Sequence, residues 1–235
     1  MMSPKLKEYK LTEVISIVSH QLKTPLSAIK AYIEVLMSEE IGKTNPKQKE
    51  YLRDALENIQ RMRILVQDIL DVSRIEQGSL ELNCRPSSLE NIVRNTLKDF
   101  FSLAQAKNRS LSFKAIEKIP LLNIDPIKIQ QVVSNLVSNA IEYNKGKGKV
   151  EVIIKKKGGR AVFCCEDTGI GIQPKEREKI FRKFYRGEKA VALATSGSGL
   201  GLFISRAIIE KSKGKLWFES KEGKGSTFCF SLPIK

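Results

Sequence analysis

The 235-residue chain contains one histidine, His20, so no imidazole cluster is available to hold a metal. Cysteine is almost as scarce, and Cys84, Cys164, Cys165 and Cys229 form no CxxC pair. With a single distant histidine, that excludes a zinc set, and reduced thiols of a cytosolic protein are expected. Cys164 and Cys165 are adjacent and, on a strand, face opposite sides. No apolar run approaches the roughly 20 residues that cross a bilayer, and "MMSPKLKEYK" lacks a signal-peptide core. Aromatic residues make up only 7%, and no aromatic-interleaved RNA motif is present. Acidic residues are the minority: 41 Lys and Arg stand against 26 Asp and Glu, a formal +15. Such a balance suits nucleic acid, anionic lipid or small phosphates. The basic residues are spread along the whole chain, and specific nucleic-acid binding is not expected.

The chain does have enough apolar residues, 41%, to build a core, and enough length for two ordinary domains. Residues 5–40 place Leu11, Val14, Val18, Leu22, Leu26, Ile29, Ile33 and Leu36 at steps of three and four, one helical stripe. After the polar break "EEIGKTNPKQ", a second stripe runs through Leu52, Leu56, Ile59, Met62, Val66 and Ile69. Two long stripes around one short break predict an antiparallel helical hairpin. A lone hairpin leaves much of its apolar face uncovered, so two hairpins are expected to pair as a four-helix bundle in a homodimer. Beyond "NCRPSS" the texture changes. Helical stretches ("SLENIVRNTLKDFFSLAQAK", "DPIKIQQVVSNLVSNAIEYN", "GLFISRAIIEKS") mix with β-rich ones ("RSLSFKAI", "KVEVIIKKK", "RAVFCCED", "GKLWFES", "GSTFCFSLP"). The mixture predicts helices on an antiparallel sheet. The expected domains are residues 1–83 and 84–235.

On the first helix His20 lies two residues from both Val18 and Leu22, about 200° of rotation away. It is therefore expected to face solvent, opposite the stripe. Pro25 cannot donate to the Gln21 carbonyl and costs about 3 kcal/mol inside a helix unless something compensates. Thr24 shares the His20 face at i+4. A lone surface histidine is usually incidental, but a hydroxyl one turn on and a local helix defect point to a reactive, deformable site.

Two glycine-rich stretches follow. "EDTGIGI" (166–172) ends a predicted strand, and "SGSGLGLFI" (196–204) opens a helix, whose free amides with close-approaching glycines suit phosphate. Neither matches the two best-known nucleotide fingerprints. Gly197, Gly199 and Gly201 give GxGxG after "LATS" rather than GxGxxG after a strand. "GKT" at 42–44 is preceded, five residues before Gly42, by Met37 rather than glycine. The charged segment between them reads as a lid over a ligand, with Phe181, Phe184 and Tyr185 as candidate anchors.

In this order the stretches resemble the boxes of the sensor histidine kinases of two-component systems. "SHQLKTPL" resembles the phospho-acceptor box and "NLVSNAIEYN" the asparagine box. "DTGIGI" and "GSGLGL" resemble the two glycine boxes, "IFRKFYRG" the phenylalanine box, and "GKGSTFCFSLP" the closing strand. The resemblance covers nearly the whole chain from about residue 10. It implies a dimeric helical phospho-acceptor domain followed by an α/β-sandwich ATP-binding domain of the GHKL (Bergerat) type.

It also implies roles. His20 would take the γ-phosphoryl group of ATP and pass it to an aspartate of a response-regulator receiver domain. Asn139 and Asn135 would bind phosphates through magnesium. Asp167 would accept from the adenine amino group, with Tyr143, Gly169 and Gly171 around the base. Gly197, Gly199, Leu200 and Gly201 would line the phosphate side, with Lys183 and Arg186 as lid cations. Any link to a membrane would run through a sensor region outside this chain, which is otherwise cytoplasmic.

Three positions depart from the pattern. Gln21 stands where the family has an acid that orients the imidazole and accepts its proton, so slower phosphorylation is expected. Thr24, the position linked to phosphatase activity, stands beside it. Glu142 stands where a cation is common and is expected to weaken nucleotide binding, and Arg182 replaces a usual acid in the lid. Related ATPases place a water-activating glutamate where this chain has Asn135, which favours transfer to a protein over hydrolysis. The alternative is a catalytically weak kinase acting as a nucleotide-responsive docking or phosphatase module.

Overall fold

A computed structural model describes the backbone of residues 4–194 and 197–234, and side chains from residue 17 onward within those ranges except at His20. The chain divides into two compact units, Met1–Leu80 and Glu81–Lys235.

The first unit is a hairpin of two long helices, α1 (Pro4–Ser38) and α2 (Pro46–Glu76). The chain reverses where Glu39 adopts φ +62° and Gly42 φ +146°. Glu39 braces the turn by accepting from the Thr44 hydroxyl (3.1 Å) and pairing with Lys49 (2.8 Å). Asn45 then caps α2: its side chain accepts from the Gln48 amide while Gln48 reaches back to the Asn45 amide, with Pro46 in the first helical turn. Leu26, Ile33 and Ile59 form the buried seam, flanked by Met37, Leu52, Ala55 and Leu56.

The seam differs from the predicted stripe. Ser19, Leu26 and Ile33 are buried, whereas Val18, Leu22, Ile29 and Leu36 remain between 39% and 48% exposed. One partner helix covers a narrow arc at near-heptad spacing, and the apolar arc of α1 is wider than that. No described helix is long and apolar enough to cross a membrane.

The second unit is a two-layer sandwich. Its elements are β1 (Arg85–Ser87), α3 (Leu89–Ala106), β2 (Ser110–Ala115), β3 (Leu122–Ile124), α4 (Pro126–Glu142), β4 (Lys149–Lys157), β5 (Arg160–Asp167), α5 (Glu188–Leu193), α6 (Gly201–Lys211), β6 (Lys215–Lys221) and β7 (Gly225–Pro233). The main sheet has the order β2-β4-β5-β7-β6, and β1 pairs with β3 apart from it. The strands are antiparallel except β2 and β4, which are parallel. That exception to the expected antiparallel sheet follows from connectivity. The long crossover through α4 returns the chain in the same direction, which a hairpin cannot do.

Helices α3, α4 and α6 cover one face. Alternate strand residues point at them: Val150, Val152 and Ile154 on β4, Ala161, Phe163 and Cys165 on β5, and Phe230 and Leu232 on β7 are all buried. Phe163 stacks on Phe230 with ring centroids 4.8 Å apart at the centre of this layer.

The other sheet face holds a correction. Cys164 and Cys229 stand opposite each other in the β5–β7 ladder and form a disulfide, with Cα atoms 4.1 Å apart. Reduced thiols are expected from the lack of a CxxC pair and of a zinc set; strand register instead brings together two cysteines 65 residues apart in sequence. Cys165 points the other way, as alternation requires, and is buried with its thiol on the Leu136 carbonyl.

Candidate functional site

The phospho-acceptor stretch lies in α1, which runs unbroken through Pro25. His20 is helical in the backbone; its side chain, and so the expected orientation, lies outside the described residues. Gln21 and Thr24 are exposed. Next to them Lys23 donates to Gln67 of α2 at 2.8 Å, and Gln67 donates to the buried Asp71 at 3.2 Å. This polar chain fixes α1 against α2 beside the residue whose backbone bond proline removes.

The remaining predicted residues cluster in the second unit. Asp125 starts α4: one carboxylate oxygen accepts from Ile127 (3.0 Å) and Lys128 (3.1 Å), the other from the Asn83 amide (2.9 Å). The apolar face of α4, from Ile129 to Ile141, packs on the sheet. Asn135 and Asn139 lie one turn apart on another face. The Asn135 amide nitrogen donates to Ser205 of α6 at 3.0 Å, and its oxygen accepts from Asn139 at 3.4 Å. Asn135 thus ties α4 to α6. The Asn139 oxygen makes no bond in this pair and is the one available for a ligand.

Gly201 has its place for the same reason: a Cβ there would sit 2.1 Å from the Asn135 oxygen. Leu200, fully buried, precedes α6, and among the described residues no side chain caps that helix. Its first amides are free to meet an anion.

Asp167 ends β5, buried at 8% exposure. One oxygen, Oδ1, accepts from the Gly169 amide at 2.8 Å and the Ser226 amide at 3.3 Å. Both bonds use the same atom, so Oδ2 remains for a ligand N–H. Burial pushes the carboxyl up to about 6 against the pull of the two amides, with Glu166 adding to the rise. Gly169 packs on the Tyr143 carbonyl, which a Cβ would meet at 2.3 Å, and that carbonyl accepts from Ile170 at 3.0 Å. The box glycines 169 and 171 therefore serve the protein's own close packing, Gly171 against the Lys221 carbonyl.

Residues that sequence reasoning missed hold this frame. Asn144, fully buried, donates to the Lys149 carbonyl (2.9 Å) and accepts from Thr168 (3.2 Å), joining the end of α4 to the first glycine turn. Arg109 donates to the carbonyls of Asn144 (2.8 Å) and Gly146. Glu142, expected to repel phosphate, pairs instead with Lys107 at 2.6 Å, which offsets its charge. None of these long-range partners has a local sequence signature.

In the lid, Phe181 is the anchor: it meets Phe218 edge-on at 5.9 Å, and Phe218 stacks on Phe228. Phe184, an expected anchor, is 67% exposed at φ +60°. Glu176 is buried and accepts from the Glu188 amide at 3.0 Å, starting α5. Lys183 lies over the Phe203 ring. Arg186 donates to the carbonyls of Ala190, Ala194 and Gly197, so its guanidinium is engaged in shaping the lid. Gly199, at φ +69° and packed against Phe184 backbone, tolerates no side chain.

Comparison with known proteins matches the first unit and the second to different families. Residues 10–78 fit the His Kinase A (phospho-acceptor) domain. Residues 124–235 fit the histidine kinase-, DNA gyrase B- and HSP90-like ATPase. The chain belongs to the sensor histidine kinases, with a phospho-acceptor domain preceding a GHKL-type ATPase domain. It is 31% identical over 223 residues to the circadian input-output histidine kinase CikA of Synechococcus elongatus, covering 94% of this chain and 30% of that protein. It is 33% identical over 225 residues to a sensor protein kinase WalK of Staphylococcus aureus, covering 95% of this chain and 54% of that one. The fold is similar to full-length ShkA solved in complex with AMPPNP, at TM-score 0.74 and 26% identity, over 94% of this chain and 45% of that chain. This chain thus spans about a third to a half of these relatives' own lengths.

Proposed function

We propose that this chain is an ATP-dependent histidine autokinase core that phosphorylates His20 and passes the phosphoryl group to an aspartate of a response-regulator receiver domain. The observation that carries the reading is Asp167: a buried carboxylate with one oxygen held by two amides and the other open. Such a group accepts from an exocyclic amine, as adenine presents. The uncapped start of α6 supplies amides for the phosphates. The Asn139 oxygen would hold magnesium together with phosphate and water oxygens, Asn135 steadying it, a donor set that suits this hard cation. When bound, the ion neutralises phosphate charge, which with positioning is most of what phosphoryl transfer needs. The His20 lone pair forms the N–P bond as the γ-phosphorus–oxygen bond of ATP breaks and ADP leaves. Gln21, an amide, is no base, so the ring proton passes to water.

Val18, Leu22, Ile29 and Leu36, left open by the hairpin, support a homodimer in which a second hairpin covers them. Thr24, exposed beside Gln21, suits a water-directing role in dephosphorylating the regulator. The test is incubation with γ-labelled ATP and magnesium, comparing the wild type with His20→Gln. Acid-labile, alkali-stable label lost in the variant is expected. No label, with ATP binding confirmed separately, would establish the docking or phosphatase reading instead.

A further inference from the structure

The net charge of the chain sits almost entirely in one unit. Residues 81–235 hold 29 Lys and Arg against 15 Asp and Glu, whereas residues 1–80 hold 12 against 11. Within the second unit seven of these cations stand at one end of the sheet. Lys155, Lys156, Lys157 and Arg160 flank the β4–β5 turn, where Lys157 pairs with Arg160 in the ladder. Lys211, Lys213 and Lys215 form the α6–β6 turn. The two turns are fastened together: Arg160 donates to the Lys213 carbonyl at 2.6 Å and to the Ser231 hydroxyl at 3.0 Å. No Asp or Glu occurs in 152–165 or 211–218. Glu210, just before the second turn, is taken by Arg206 at 2.8 Å. Among the described residues, none of these six lysines has a carboxylate partner.

We infer that this basic end docks on an anionic lipid surface. Charge complementarity is the first reason: lysines on adjoining turns add their attraction to a negative leaflet. The second is Ile116, 60% exposed at the end of β2. Its amide bonds the Ile154 carbonyl at 3.0 Å, which places it beside Lys155. An exposed isoleucine beside Lys155, with the following Glu117 offset in charge by Lys118, is a composition that enters the headgroup boundary. Nucleic acid is disfavoured, because this end presents no exposed aromatic to stack on a base and its one arginine is engaged in the fold. The lysines flank two separate chain turns held side by side, which suits a surface better than a single extended acidic peptide. Asp167 lies at the opposite end of β5, about 23 Å away at strand rise, so docking leaves the nucleotide side facing away from the lipid.

The test is sedimentation of the full 235-residue chain with phosphatidylcholine vesicles, with and without phosphatidylglycerol. Binding to the anionic vesicles alone is expected, and it is expected to fall steeply with added salt. K155Q/K156Q/K157Q should lower the partition about a hundredfold, at roughly fivefold per lysine. Ile116→Ser, which changes no charge, should lower it severalfold. Circular dichroism of each variant checks that the fold is kept. No sedimentation, or a triple variant that partitions like the wild type, overturns the proposal. So does a duplex DNA or polyglutamate competitor that binds as tightly at matched charge and is insensitive to Ile116→Ser; that result would assign the surface to a general polyanion.

Discussion

The two units solve the burial problem in opposite ways. The hairpin commits Leu26, Ile33 and Ile59 to its own seam and leaves Leu22, Ile29 and Leu36 open. The sandwich encloses Phe163, Phe230, Ile129 and Leu136 between helices and sheet. A two-helix unit has too much surface for its volume to be self-sufficient, whereas a sheet with three helices on one face closes a core. The difference teaches where the chain is built to be incomplete: the first unit leaves an apolar face that the proposed second copy would cover, and the second unit closes its own core.

The sharpest way to break that contrast is inside the sandwich. Phe230→Ala removes half of the stacked Phe163–Phe230 pair and should cost about 3–5 kcal/mol, seen as a lower melting point of the second unit at any protein concentration. A melting point that shifts with dilution would contradict the self-sufficient core.

A slightly smaller effect tests the one charge that the core tolerates badly. The folded Asp167 carboxyl titrates near 6 against 3.8 unperturbed, so its stabilising contribution is complete below about pH 4 and is lost as pH rises through 6. Asp167→Asn should therefore stabilise the second unit by up to about 3 kcal/mol at pH 8, with the gain vanishing near pH 4, while weakening ATP binding. A gain independent of pH in denaturant melts would show that burial of charge is not the cause.

The smallest effect lies in the hairpin. Ile29→Ser should weaken self-association by about 2 kcal/mol per subunit, read by analytical ultracentrifugation, and leave the second melting transition unmoved. Unchanged association would place the partner surface elsewhere.

Signals confined to a few residues were legible in the sequence. Asn45 before Pro46 and Asp125 before Pro126 mark helix starts because a cap and its amides are neighbours in the chain. The order of the boxes likewise marked the Asp167, Asn139 and Gly201 stretches as candidates. What escaped was pairing at a distance. Periodicity finds the apolar arc of α1 but not which part of it meets α2, since any position on a wide arc fits the same spacing. Glu142 read as a liability because Lys107 lies 35 residues away. Arg186 read as a phosphate ligand, but its guanidinium reaches three lid carbonyls, a geometry that only the folded loop defines.

The disulfide between Cys164 and Cys229 has a use beyond holding two strands. The two sulfurs meet only when β5 and β7 pair in the register that also sets Asp167 opposite Ser226. A slip of one residue would turn one cysteine to the helix face and the other away from it. The bond is therefore a covalent record of correct alignment at the proposed nucleotide site. It makes gel mobility without reductant a direct assay of how many molecules in a preparation have folded in register.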